Sequence, residues 1–224
     1  MQDRGEPESP DRSSAEPDAE PEAEVGVGPW PGAWPDDPRY DPDLLATGDR
    51  RNVVDRYRYW RREAIVADLD LRRHDFDVAI ENWRHDLNIG TVVRNANAFL
   101  AGEVHIVGNR RWNRRGAMVT DRYQHVRHHP DVETFVAVVR ERGLAVVGID
   151  NLPGAVPLET TLLPRRCVLV LGQEGPGLSP AVRAAADVVC SIAQFGSTRS
   201  INAGVASGIA MHTWIRQHVV GERP

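Results

Sequence analysis

Three short stretches concentrate the side chains that could do chemistry. NIGTVVRNANAF (88–99) places Asn88, Gly90, Arg94 and Asn97 on the opening turns of an expected helix. Asn88 is expected to cap that helix through its side-chain oxygen. Arg94 is either a surface residue or a ligand for a phosphate or a substrate. LVLGQEGPGLS (169–179) sets Glu174 among Gly172, Gly175 and Gly177, directly after an apolar run. Glycines there let main chain approach a ligand closely, and a plain turn seldom needs three of them around a carboxylate. SIAQFGSTRSINAGVASG (191–208) crowds Ser197, Thr198, Arg199, Ser200 and Asn202 at the entry to a helix thinned by Ala203, Gly204, Ala206 and Gly208. A cap followed by a close-packed helix explains the small residues there, but not the density of donors.

The elements that must position these groups alternate. Strands are expected at 76–82, 104–108, 144–150, 167–172 and 188–193. Helices are expected at 88–102, 131–143, 179–187 and 201–220. Strands that are apolar throughout, alternating with helices, imply a parallel sheet covered on both faces. In such folds ligands collect at the carboxyl ends of strands, and each of the three stretches follows a strand. The usual nucleotide fingerprints are missing: there is no G-x-G-x-x-G after the first strand and no G-x-x-x-x-G-K-[ST] anywhere.

Upstream the text differs. Residues 1–48 are rich in Pro, Glu, Asp, Ala and Gly, a composition that buries too little apolar surface to order itself, and they are expected to be disordered. Residues 49–75 form an expected helical extension in which arginines, Arg58 and Arg61 among them, interleave with Tyr57, Tyr59 and Trp60. That mixture suits RNA, with guanidinium on phosphate and bases on rings; a solvated amphipathic face accounts for it equally. The folded core is expected at 76–221.

Charge sharpens the division. The chain of 224 residues has a net charge of −5, yet residues 1–49 carry −11 and the rest +6. Every basic residue is arginine, which grips phosphate in bidentate fashion and stacks on bases. A second arginine group, Arg110, Arg111, Arg114 and Arg115, lies in RRWNRRGAMVTDRYQHVRHH (110–129), read as a loop suited to RNA, with its histidines on phosphates or simply exposed. The two cysteines, Cys167 and Cys190, sit in apolar runs and read as buried thiols, not zinc ligands. No apolar stretch is long enough to span a membrane, and MQDRGEPESPDRSS has no signal-peptide core, so a cytoplasmic location is expected.

In order and spacing the three stretches resemble the signature motifs of the SpoU (TrmH-like) RNA 2′-O-ribose methyltransferases, within the SPOUT superfamily. Asn88, Gly90, Arg94, Ala96 and Phe99 resemble the first motif. Leu171, Gly172, Glu174, Gly175, Gly177 and Leu178 resemble the second. Ile192, Gly196, Ser200, Ile201 and Asn202 resemble the third, with Ala193 where the family usually has Pro, Ile201 in place of Leu, and Gly204 where a second Ser is common.

The resemblance implies an α/β fold with a mostly parallel, trefoil-knotted sheet and helices on both faces. It also implies a homodimer with the active site near its interface, for which Trp214 and Ile215 offer a face. S-adenosyl-L-methionine is the implied cofactor, held by Asn151, Leu171, Gly172, Gly175, Ile192, Ser200 and Ile201, with no metal. Arg94 is the implied catalytic residue, with Asn88, Glu174, Ser200 and Asn202 orienting it and the ribose of a tRNA or rRNA. Arg58, Arg61, Arg110, Arg111, Arg114, Arg115 and Arg199 would hold the RNA. The rival reading is a catalytically silent RNA-binding or assembly protein on the same scaffold.

Overall fold

The computed structural model describes residues 26–84 and 87–220. They form two compact units that divide after Tyr59. The first begins with an antiparallel bridge between Val27 and Asp49. Helix α1 (Pro42–Thr47) starts at Asp41, whose side chain accepts from the Asp43 amide, and ends at Gly48, with Pro42 at its first position. The Asp49 carboxylate accepts from the Tyr59 amide at 2.9 Å and from the Arg51 guanidinium at 2.7–2.8 Å. Trp30 meets Tyr40 and Tyr59 edge-on, at 5.7 and 5.2 Å between ring centres.

Two expectations change here. The tail expected to be disordered over 1–48 lies partly outside the described residues, but 26–48 are ordered. Composition hid a local proline, capping aspartate and glycine. The helix expected over 49–75 is confined to α2 (Arg62–Asp70) in the second unit, with one 3-10 turn at Asp55–Tyr57 before it. Asp49 takes backbone amides as partners, and Tyr59 has φ 62°, which no α-helix accommodates.

The second unit is a parallel seven-stranded sheet in the order β3-β2-β1-β6-β4-β7-β5. Its strands are β1 (Phe76–Asn82), β2 (Glu103–Gly108), β3 (His125–His129), β4 (Ala145–Ile149), β5 (Val156–Pro157), β6 (Cys167–Leu171) and β7 (Val188–Ser191). The central β1 and β6 are buried along their whole length, as continuous apolar strands require. β3 and β5 were not legible in the sequence: one is a polar run, HVRHH, and the other two residues long. Both are edge strands, where pairing on one side is enough.

Helices α3 (Ile89–Ala98) and α6 (Ala203–Ile215) belong to one face of the sheet, and α4 (Val132–Glu141) and α5 (Pro180–Ala185) to the other. α4 buries Val132, Phe135 and Val139 along one stripe, the helical period that makes an amphipathic element dock. Full burial of a side chain such as Phe135 is worth about 2–3 kcal/mol. α6 buries Gly204, Ala206, Ser207, Ala210, Met211 and Trp214 and then passes into a π-helical turn at Arg216–Val220. Trp214 is core, not interface: its ring lies 4.5 Å from Phe76 and its indole N–H donates to the carbonyls of Pro164 and Arg165. Cys167 and Cys190 are buried and unpaired, and burial pushes the Cys167 thiol up to about 12. Among the described residues no helix is long and apolar enough to cross a membrane.

Candidate active site

The sheet order brings the ends of β4, β6 and β7 side by side, and the loops leaving them enclose a cleft of about 230 Å³. Ile149, Asp150 and Asn151 line it from β4. Leu171, Gly172, Gln173, Glu174, Gly175 and Gly177 line it from β6. Ile192, Gln194, Ser200, Ile201, Asn202, Ala203 and Ala206 complete it. All seven residues assigned above to a cofactor are therefore brought together.

Close backbone approach builds this wall. Gln173 and Gly177 exchange amide and carbonyl in a tight bridge, at 3.2 and 3.0 Å. A Cβ on Gly172 would stand 2.0 Å from the Gly177 carbonyl carbon, so nothing larger than glycine fits. The Asp150 carboxylate pins the far side by accepting from the Leu178 amide at 2.8 Å. Gln173 accepts from the Trp83 amide through its side chain, tying the same loop to the end of β1.

The polar residues form a chain at the rim. Asn202 donates through its side-chain amide to the Asn88 oxygen at 2.8 Å, and Asn88 donates to Glu174 at 3.2 Å. Asn202 also caps α6, its oxygen accepting from the amides of Gly204 and Val205. Asn88 sits at the start of α3 but does not cap it; its side chain is committed across to the other two motifs. α3 and α6 are further locked by Asn95, which donates to the Gly204 carbonyl and the Ser207 hydroxyl, both at 2.9 Å. Asn95 was not singled out in the sequence, because an asparagine inside a helix carries no spacing signal of its own.

Arg94 does not line the cleft. It stands roughly 9 Å along the helix axis from Asn88, is exposed, and takes part in no hydrogen bond or ion pair among the described residues. Ser200 is exposed at the cleft rim. Gln194, another residue the sequence did not mark, lines the cleft with a buried Oε1 that has no hydrogen-bond partner among the described residues. The arginines assigned to RNA divide. Arg110, Arg111, Arg115 and Arg199 are exposed, as is Arg61, while Arg114 lies 5.6 Å over the Trp112 ring. Arg58 instead turns its guanidinium onto the carbonyls of Asp49 and Arg51 within the first unit.

A second polar cluster lies on the α4 side of the sheet. Buried His105 is engaged at both ring nitrogens, 2.9 Å from His129 and 3.0 Å from Asp77. Arg142 reaches the same Asp77 carboxylate at 2.6 Å, and Arg127 lies 3.1 Å from Glu103. Burial favours the neutral acid at Asp77, but its bonds to His105 and the charge of Arg142 outweigh it and lower its pKa. Burial first, then His105 and Arg127, lower the pKa of His129 to about 4. Asp77, Glu103 and His105 have ligand atoms within 4.8 Å of one another, a spacing that a cation could bridge. Both carboxylates are already matched by guanidinium. The histidines of 110–129 were thus misjudged in part: His129 is buried, His125 bonds Asp70 and His128 the Gly108 carbonyl.

Comparison with known proteins agrees with this geometry. Residues 75–212 match the model of the SpoU rRNA Methylase family. An uncharacterized tRNA/rRNA methyltransferase of Mycolicibacterium vanbaalenii is 30% identical over 203 residues, covering 80% of this chain and 60% of the relative. A second such protein, from Mycolicibacterium smegmatis, is 32% identical over 148 residues, and the chain spans only 46% of its length. Among solved structures, the TrmH/SpoU tRNA modifying enzyme of A. aeolicus superposes with a TM-score of 0.64 at 22% identity, over 72% of this chain and 84% of that one. The SpoU methyltransferase AviRb of Streptomyces viridochromogenes, in complex with AdoMet, gives 0.58 at 26% identity over 68% and 61%. With the family model spanning more than half of the sequence, the chain belongs to the SpoU methylase family.

Proposed function

We propose that the protein is an S-adenosyl-L-methionine-dependent methyltransferase acting on a ribose 2′-hydroxyl of tRNA or rRNA, working as a cytoplasmic homodimer. The observation that carries the reading is a glycine-walled cleft lined by the second and third motifs, to which the first is joined through the bonds of Asn88 to Glu174 and Asn202. The cleft suits the cofactor. It offers apolar walls from Leu171, Ile192 and Ile201, close main chain at Gly172, and in Gln194 an orphaned buried acceptor that an amino group would satisfy. AviRb, a relative by fold and sequence, was crystallised with AdoMet.

When bound, the cofactor supplies an electrophilic methyl group on a sulfonium. What remains for the protein is the hydroxyl, a poor nucleophile near neutral pH. A guanidinium has donors and no acceptor, so the role of Arg94 is electrostatic: it stabilises the alkoxide as charge develops. Asn88, Asn202 and Glu174 fix the start of α3 beside the cleft, and with it the helix that carries Arg94. In this reading Ser200, exposed at the cleft rim, binds the ribose, and the exposed Arg61, Arg110, Arg111, Arg114, Arg115 and Arg199 take the RNA backbone.

The dimer face is assigned to the exposed side of α6, where Val205 and Ile209 are 55% and 38% exposed, one turn apart. It replaces Trp214, which is spent in the core. The position of β6 between β1 and β4, with α6 returning to α3, suits the threaded chain of a trefoil knot. Transfer of tritium from labelled cofactor to bulk tRNA or rRNA tests the proposal. Binding of RNA with no transfer to any RNA would favour the silent scaffold instead.

A further inference from the structure

The turn after β2 holds an uncommon pair. Met118 and Val119 have φ of 47° and 70°, in the left-handed region that costs any residue but glycine, and a β-branched one most. Burial does not compensate: the two residues are 61% and 52% exposed. Such strain persists only where the surroundings impose it, and here they do. A 3-10 turn at Arg114–Ala117 precedes the pair and another at Thr120–Arg122 follows. Asn113 caps the first by accepting from the Arg115 amide at 3.0 Å, and the Thr120 hydroxyl donates to the Ala117 carbonyl at 2.6 Å. The turn is clamped onto α3 where two glycines meet. A Cβ on Gly90 would stand 2.7 Å from the Gly116 Cα and the Ala117 amide. The result is a rigid apolar knuckle beside the first turn of the helix that carries Arg94. Arg110, Arg111, Arg114, Arg115 and Arg122 surround it in sequence, all of them exposed.

Guanidinium groups around an apolar tip describe a surface for a partner that is anionic and flat at once. RNA has both properties, but a duplex keeps its base faces stacked, and only an unpaired strand offers them. We propose that Met118 and Val119 form a wedge that packs against an unstacked base of single-stranded RNA, with the neighbouring arginines on its phosphates. The wedge is a positioning element: it holds the strand at α3, so that a splayed nucleotide is presented toward Arg94. This inference rests on RNA as the substrate, and adds which form of RNA is recognised and by which side chains.

The test uses the full chain and a fluorescein-labelled RNA of about 20 nucleotides, longer than one stacking site, presented as a single strand and as a duplex with its complement. Fluorescence anisotropy should show that the unaltered protein prefers the single strand. Joint Met118→Ser and Val119→Ser substitution should cost roughly tenfold on the single strand, the scale of losing the partial burial of two apolar side chains, with duplex binding unchanged. Joint Arg114→Ala and Arg115→Ala should weaken both forms and flatten the salt dependence.

Val119→Gly separates a functional strain from a structural one. Glycine accepts φ 70°, so the variant should melt at a higher temperature while binding the single strand more weakly. Equal losses on single strand and duplex from the serine variant, or a lower melting temperature for Val119→Gly, would overturn the wedge. If methyl transfer to RNA persisted alongside such a result, only the wedge would fall. Absence of binding to either RNA form would bring down the RNA reading with it.

Discussion

The cleft and the His105 cluster both gather polar side chains at one sheet, and they use them in opposite ways. Around His105 the groups answer one another: both ring nitrogens are engaged and the carboxylates meet arginines, and even Glu103 Oε2, which accepts no hydrogen bond among the described residues, lies 3.1 and 3.4 Å from the Arg127 and Arg142 guanidiniums. Such a set has little left for a ligand. At the ends of β4, β6 and β7 the protein ties down only what positions the wall. Asp150, Gln173 and Asn202 are bound to backbone amides, while among the described residues the buried Gln194 oxygen has no hydrogen-bond partner and, off the cleft lining, the exposed Arg94 guanidinium has no ion pair. Polar density alone does not mark a functional site. Unsatisfied capacity held by satisfied neighbours does, because an uncompensated buried polar group is costly and persists where something else completes it.

The sharpest way to break this contrast is at Arg94. Arg94→Ala should lower turnover by roughly a hundred- to a thousandfold, the scale of one lost oxyanion partner. Cofactor affinity by titration calorimetry should hold, since Arg94 lies off the cleft lining. Full activity would remove the residue from the chemistry. Gly172→Ala attacks the wall instead. Its methyl has no room beside Gly177, so the bridge must open, and cofactor affinity should fall about tenfold or more, an overpacking cost of about 1–3 kcal/mol. An unchanged dissociation constant would show that the cofactor does not depend on this backbone.

The cleft was largely legible in the sequence because its residues cluster near strand ends. Gly172, Glu174, Ser200 and Asn202 are separated along the chain yet each follows an apolar run, and parallel strands deliver such ends to one edge. What joined them was not legible. Asn88 at a helix start reads as a cap, and only the fold shows that its amide is taken by Glu174 and Asn202. The His105 cluster was invisible for a related reason. Asp77, His105 and His129 are brought together by pairing register across β1, β2 and β3, and no spacing rule relates three separate strands. Residues 26–48 failed differently: bulk composition outweighed the local signals of Asp41, Pro42 and Gly48, which cap a single short helix.

If the His105 cluster is structural, breaking it should cost stability and spare catalysis. Asp77→Asn removes the charge that Arg142 and His105 face, and unpairing such groups costs about 3 kcal/mol, less as solvent reaches Arg142. Denaturant titration should show that loss, with turnover per folded molecule and cofactor affinity unaltered. Selective loss of turnover at full stability would instead make the cluster part of the site and erase the contrast.

Acid should expose the same difference more gently. His129 keeps a pKa of about 4 when folded, against an ordinary value of 6.5, so the unfolded chain takes up a proton that the folded chain refuses. Its contribution is complete above pH 6.5 and drains away as pH falls toward 4, by at most about 3 kcal/mol. His74, lowered by burial, drains in the same direction. Asp77, whose folded pKa lies below 3.8, adds its loss only at lower pH. Thermal melts from pH 7.5 down to pH 4.5 should therefore show a steady fall. His129→Gln keeps a polar partner for His105 but no titrating ring, and should flatten that fall without abolishing it, since His74 remains. A slope unchanged by the substitution would mean that His129 is protonated in the folded protein, and that the cluster holds a charge its geometry says it excludes.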